Sequence, residues 1–240
     1  MEYRFKSERL PPGKPYPQMG PDDERWITRW SRSHYPRTCP EFPVIGKGYV
    51  NEEPTNSYWM ASLVDPLEDR FREGIRILDY GCGMGRLANF ISGYLKEFLY
   101  LGVEPPGNTK LVTARPLFNH DPRIRFAEIG SPGEELAARQ FDAAILGSVF
   151  THLLPDTCRC ILEHLLPIVE GGGIIIFSAF LDDKLTYYKS GVYGFPNCYH
   201  RAYLPYSWID EMGQALGRAI RREGRFDCYG ITTHFIFSIR

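Results

Sequence analysis

Ile75-Arg-Ile-Leu-Asp79-Tyr-Gly81-Cys-Gly83-Met-Gly85-Arg-Leu87 is the stretch that decides the fold. An apolar run ends in an acid, Asp79. Glycines follow at every second position, and an apolar, helix-compatible segment starts at Leu87. Glycine adopts backbone angles closed to other residues and lets a ligand approach the main chain. A strand, a glycine turn and a helix in this order form a nucleotide-binding crevice at the carboxyl end of a parallel sheet. The strand-tip carboxylate then selects the ligand. Asp79 would repel a pyrophosphate, but it suits a ligand with amine or cationic groups.

Around this stretch the chain alternates between strand and helix. Helices are expected over 56–71, 87–96, 108–118 and 155–169. Strands are expected over 75–80, 98–104, 124–129, 141–147 and 172–180, the last after the Gly171-Gly172-Gly173 turn. Such alternation implies a doubly wound α/β fold with a parallel sheet. The end of the chain breaks the rhythm. A helix over 206–216 precedes two extended segments, 219–226 and 232–239, which read as an antiparallel pair.

The Asp79-x-Gly81-x-Gly83-x-Gly85 pattern resembles motif I of the class I S-adenosylmethionine-dependent methyltransferases, and the resemblance runs from about residue 75 to the C-terminus. It implies a Rossmann-like, seven-stranded, mostly parallel sheet with a C-terminal antiparallel pair, in a domain spanning 56–240. It also implies S-adenosylmethionine as cofactor and S-adenosylhomocysteine as product. On that resemblance the loop Tyr80, Gly81, Cys82, Gly83, Gly85 and Arg86 cradles the methionine part and ribose, and Asp79 fixes the methionine end.

Glu104 ends the second strand, about 20 residues past the loop, where an acid accepts both ribose hydroxyls of either a dinucleotide or an adenosyl cofactor. Pro105-Pro106 follows it and stiffens the adjoining loop. A dinucleotide fingerprint also fits loosely as Gly83-x-Gly85-x-x-Ala88. In that register the first glycine lies two residues beyond the strand end, and the pyrophosphate would sit beside Asp79. The family resemblance places adenine at the turn after the third strand, here Gly130 and Ser131. It places Ser148, Val149 and Phe150 of Leu146-Gly-Ser-Val-Phe-Thr-His152 at the sulfonium region. His152 either stabilises that turn or faces the substrate.

The insert over 184–205 is dense in tyrosine and contains Gly191, Gly194 and Pro196. A loop at the carboxyl end of a sheet is where an acceptor site belongs. Tyr188, Tyr193, Tyr199 and Arg201 are the expected acceptor contacts, in a segment read as a substrate lid. His200, and after it His152, is the expected base for a hydroxyl acceptor. The alternative for His200-Arg201 is anchoring the loop. The expected reaction is methyl transfer to a small polar organic acceptor, with O-methylation of a sugar or secondary metabolite favoured. Methylation of protein or RNA, and a silent cofactor-binding partner subunit, stand as alternatives.

Several classes are disfavoured. The Asn/Asp-Pro-Pro-Tyr signature of base-amine methylation is missing after the fourth strand, and Asp142 lies at the wrong end of that strand for metal-dependent catechol methylation. Cys158-Arg-Cys160 with His164 does not have zinc half-site spacing, so no metal is expected. A formal net charge of −1 argues against a dominant polyanion footprint, so a nucleic-acid partner is not expected. No apolar run approaches the ~18 residues of a membrane span, and no signal-peptide core opens the chain, so a cytoplasmic location without membrane contact is expected. Residues 1–55 are proline-rich, with one helix expected over 22–33. They read as an arm or cap over the site or as a tail. Up to Arg37 they carry eight basic against five acidic residues. The sequence leaves the oligomeric state open.

Overall fold

The computed structural model describes residues 53–106, 109–129, 140–185, 187–190, 199–228 and 232–240. The expected arm and its helix lie outside them up to residue 52, as do Gly130, Ser131 and Tyr193, and the side chains of Tyr188, Tyr199 and His200.

Helix α1 (Glu53–Val64) precedes strand β1 (Ile75–Tyr80), helix α2 (Arg86–Ser92), strand β2 (Phe98–Glu104), helix α3 (Thr109–Phe118) and strand β3 (Ile124–Glu128). Strand β4 (Phe141–Leu146), helix α4 (Pro155–Leu165) and strand β5 (Val169–Leu181) complete the alternating part. Strands β6 (Tyr187–Ser190) and β7 (Tyr199–Leu204), helix α5 (Tyr206–Leu216) and strands β8 (Ile220–Cys228) and β9 (Thr232–Ile239) close the chain.

Strands β3, β2, β1, β4 and β5 lie side by side in parallel, and antiparallel β9 and then β8 extend the sheet beyond β5. These are the seven expected strands in the expected sense. Because β1 has β2 on one side and β4 on the other, the connections diverge there and leave a crevice at the strand tips. The strand sequences explain why both faces are covered. Neighbouring residues Ile77 and Leu78, Ile145 and Leu146, and Ile176 and Phe177 fall into two separate cores. One core packs α1 and α2 on the sheet, through Trp59, Leu63, Leu87 and Phe90. The other packs α4 and α5, through Leu162, Leu165, Trp208 and Met212. Arg76 pins the lower end of the crevice strands. Its guanidinium grips Asp142 of β4 at 3.1 and 3.2 Å, and its backbone N–H donates to the same carboxylate at 2.8 Å.

Three helix ends differ from expectation, each at a helix breaker, and β5 begins at Val169, so Gly171, Gly172 and Gly173 lie within the strand and do not form the expected turn before it. The helix expected to reach residue 71 ends at Val64 and tightens into a 3-10 turn over Asp65–Arg70. Pro66 disfavours α geometry at the residue before it. Pro167 acts in the same way after α4, where a 3-10 turn covers Leu166–Ile168. Helix α2 stops at Ser92 because Gly93 follows.

The insert over 184–205 also differs: its described part is not an open loop. β6 and β7 form an antiparallel hairpin, with Tyr188 opposite Arg201. β7 continues parallel to the tip of β5, pairing Phe180 with Tyr203 and Leu181 with Leu204, so nine strands are joined among the described residues. The alternation of Tyr199, Arg201 and Tyr203 carries the strand period, which the flanking glycines and proline obscure. Among the described residues no helix is long and apolar enough to cross a membrane. Cys158 is buried and Cys160 exposed, so the two thiols do not converge on one point.

Candidate active site

The crevice at the tips of β1 and β4 is a cleft of about 440 Å³. Asp79, Tyr80, Gly81, Cys82 and Gly83 form its floor, and Arg86 and Leu87 begin α2 beside them. Glu104, Pro105, Pro106 and Ile129 line one side. Gly147, Ser148, Val149, His152 and Leu153 line the other, backed by Thr157 and Ile161 of α4. Trp59, Met60 and Leu63 of α1 complete the wall.

The glycine loop is bound inward. The N–H groups of Gly81 and Cys82 both donate to the Val103 carbonyl, at 2.8 and 3.2 Å. The Gly83 N–H donates to Glu104 Oε1 at 2.5 Å. Three amides that a pyrophosphate would need are therefore engaged, and Asp79 lies beneath them. This is the physical case against a dinucleotide.

The glycines have distinct tasks. Gly81 has φ +79°, and a Cβ there would come 2.6 Å from Val149 Cγ2. The loop thus presses directly on the exit of β4. Gly85 has φ +82°, and its Cβ would meet Phe118 and Phe126 at 2.8 and 2.9 Å. Gly85 is buried and does not line the cleft, so its smallness serves packing. Gly83 has φ +59°, lines the cleft, and has nothing within 4 Å of its Cβ position. Gly81 lines the cleft too, but Gly83 does so with no side chain packed against it.

Asp79 is only 4% exposed and accepts a short hydrogen bond from the Tyr100 hydroxyl. Burial pushes its carboxyl up to about 7, and the Glu104 charge adds to the rise against the hydrogen bond from Tyr100 and the charge of Arg86. Tyr100 did not figure among the sequence candidates, although a signal exists. Tyr100, Gly102 and Glu104 share one face of β2 by the strand period, and Gly102 lies opposite Asp79 in the register.

Past β4, Ser148 adopts φ +62°, a left-handed conformation uncommon outside glycine. Its N–H donates to Ser178 Oγ at 2.8 Å, and Thr151 Oγ1 donates to its carbonyl at 2.8 Å. Those bonds hold a costly backbone state against the cleft, the kind of local strain that clusters at functional sites. The His152 N–H bonds the Val149 carbonyl at 3.0 Å, closing a single turn that leaves His152 on the cleft wall. Phe150 departs from expectation. It is wholly buried, packing on Phe177 and Trp208 with ring centroids 5.0 and 6.2 Å away. In a one-turn helix its side chain falls opposite the cleft, and it belongs to the core.

His234, at the start of β9, is a further residue that sequence reasoning missed. Its ring lies 4.7 Å from that of Trp59 and 4.5 Å from that of Phe180. Burial, together with the charges of His152 and Arg201, lowers its pKa to about 4. The elements that carry Trp59, His152, Arg201 and His234 are far apart in sequence, so no local motif marks them.

No protein-family model matches the chain. Solved structures do resemble it. Burkholderia thailandensis 1,6-didemethyltoxoflavin-N1-methyltransferase, bound to 1,6-didemethyltoxoflavin and S-adenosylhomocysteine, aligns over 99% of this chain and 97% of its own, at 17% identity and a TM-score of 0.58. A Clostridium acetobutylicum S-adenosylmethionine-dependent methyltransferase aligns over 83% and 97%, at 13% identity and a TM-score of 0.58. Magnesium protoporphyrin IX methyltransferase from Synechocystis, bound to S-adenosylhomocysteine, aligns over 91% and 95%, at 16% identity and a TM-score of 0.55. The chain has the class I methyltransferase fold. Within this methyltransferase fold the glycine loop, Asp79 and Glu104 stand at the strand tips as the sequence resemblance implied, and β6 and β7 are joined to the tip of β5.

Proposed function

We propose that this protein transfers a methyl group from S-adenosylmethionine to a small organic acceptor. The observation that carries the reading is the acidic floor of the cleft. Asp79 is buried under an inward-bonded glycine loop beside Glu104, an environment that rejects phosphate and favours an ammonium group and a ribose diol. Solved structures of the same fold with S-adenosylhomocysteine bound support it.

Asp79, as carboxylate, accepts from the methionine ammonium, and Tyr100 holds its other side. Glu104 accepts from the ribose hydroxyls while Gly83 fixes its orientation. Pro105, Ile129, Gly130 and Ser131 bound the adenine. Ser148 and Val149 line the space of the reacting sulfur, with Tyr80, Cys82 and Arg86 completing the cradle. The cofactor brings an already activated methyl group. The protein's task is then to align an acceptor atom in line and to exclude water, which can supply about 7–11 kcal/mol at best. For a hydroxyl acceptor, His152 takes the proton from the cleft wall, with His200 as the second candidate. Tyr188, Tyr193, Tyr199 and Arg201 contact the acceptor from the 184–205 segment. We favour an oxygen acceptor on a sugar or secondary metabolite, in a cytoplasmic enzyme.

Calorimetric titration with S-adenosylmethionine, S-adenosylhomocysteine and NAD, with Asp79→Ala alongside, tests the reading. Binding of the two adenosyl sulfur compounds, weakened in the variant, is expected. Silence towards both, with binding of NAD, would overturn it.

A further inference from the structure

The cofactor reading uses the acidic end of the cleft and leaves the chemistry beyond His152 unassigned. Three basic side chains from three elements gather there. His152 closes the turn after β4 on the cleft wall. Arg201 lies on β7, which runs beside that turn. His234 starts the inner part of β9 and packs on the ring of Trp59, itself a wall residue.

We propose that His152, Arg201 and His234 form the acceptor subsite, and that it takes an aromatic acceptor bearing a carboxylate. The inference rests on the methyl-transfer reading and adds the substrate class.

Electrostatics and shape both support it. His152 and Arg201 lie close enough to His234 that their positive charges, after its burial, keep its imidazole uncharged. An anion placed beside them offsets those charges. Arg201 is half-buried and makes no ion pair with any described residue. Two acids just past β5 are turned to backbone amides. Asp182 accepts from the N–H groups of Lys184 and Leu185 at 2.7 and 3.1 Å, and Asp183 from that of Tyr206 at 2.9 Å. A guanidinium beside donor-bearing imidazoles is a ready partner for a planar carboxylate. The ring of Trp59, on the cleft wall beside His234, supplies flat apolar surface for an aromatic body. The field of the cleft then orients the acceptor. Asp79 and Glu104 repel its anionic end, the basic cluster draws it in, and the opposite end of the ring is presented towards Ser148 and Val149.

The test is equilibrium binding of benzoate, its neutral isostere benzamide and phenyl phosphate to the full chain saturated with S-adenosylhomocysteine, with Arg201→Gln as the variant. Benzoate should bind at least about tenfold more tightly than benzamide. Arg201→Gln should lose most of that preference and keep its affinity for S-adenosylhomocysteine, which shows that it is folded. On adding benzoate, the His234 imidazole should titrate at higher pH in an NMR experiment, because the bound anion offsets its positive neighbours. Equal binding of benzoate and benzamide, or a preference that survives Arg201→Gln, would overturn the subsite. Tighter binding of phenyl phosphate would replace the carboxylate by a phosphate. Failure of S-adenosylhomocysteine to bind at all would instead defeat the methyl-transfer reading.

Discussion

The two ends of the cleft are built in opposite ways. The acidic end comes from one continuous stretch, Asp79 to Glu104, folded as strand, loop, helix and strand, with Tyr100 and Gly83 as internal fasteners. At the opposite wall stand Trp59 and His152, with Arg201 and His234 behind them, a group that only the finished fold brings together. One end is a local motif carrying buried negative groups. The other is a meeting of distant elements carrying basic side chains. A site for a shared ligand can be written into a motif, whereas a site for a private ligand is assembled from whatever the topology leaves at the far side.

The strongest way to break this contrast is at Gly85. A Cβ there enters Phe118 and Phe126 at a positive φ, so Gly85→Ala should cost about 3 kcal/mol of stability, read from denaturant unfolding. Gly83→Ala meets no atom and should cost only about 1–2 kcal/mol for its backbone angle. It should nevertheless weaken S-adenosylhomocysteine binding. Equal stability losses would erase the division between packing and ligand-facing glycines.

Acid stability separates the two ends by sign. His234 titrates at about 4 in the folded chain against an ordinary 6.5, so the unfolded chain takes up its proton first. Its contribution is fully present above about pH 6.5 and is lost as the pH falls to about 4, on the order of 3 kcal/mol. Asp79 runs the other way. Its folded value of about 7 lies above the ordinary 3.8, so its contribution is full below 3.8 and is lost as the pH rises to about 7. Unfolding of His234→Gln between pH 4 and 6.5 should show a flatter acid loss, and that of Asp79→Asn a steeper one.

A smaller effect concerns cofactor affinity. Asp79→Ala should weaken S-adenosylmethionine binding roughly 10- to 100-fold. In the native protein the affinity should fall as the pH drops below about 7, because Asp79 is then protonated before binding. Calorimetry in buffers of different ionisation enthalpy should register the released proton, and Asp79→Asn should abolish it. The smallest change is Tyr100→Phe. Loss of the hydrogen bond that lowers the Asp79 pKa should move the midpoint of this pH profile upward by about one unit.

Legibility in the sequence follows the same division. β1, β2, α5 and β9 fall on their expected bounds, because an apolar run closed by an acid, a glycine or a turn leaves little choice. The helix ends moved where Pro66 and Pro167 intervene, and the 184–205 segment proved to contain a hairpin whose strand period short flanks had hidden. The positions of Asp79 and Glu104 at strand tips, and of Gly83 in the loop between β1 and α2, were readable from the apolar runs and the glycine spacing. Phe150 was misplaced by a rotation that a single helical turn sets and a motif does not encode. Tyr100 was within reach of the strand period. His234 was not, since its neighbours come from α1 and β5, with His152 and Arg201 close by.

The β6–β7 hairpin adjoins the sheet through a ladder of two residue pairs, Phe180 with Tyr203 and Leu181 with Leu204. So short a ladder leaves the far strand of the hairpin, β6, outside the main sheet. β7 itself is anchored by Leu204 in the second core and by the turn after β4, so the freedom to change lies towards β6. Under the proposed function, a change of acceptor would therefore be written first between β5 and α5, while the floor of the cleft stays as it is.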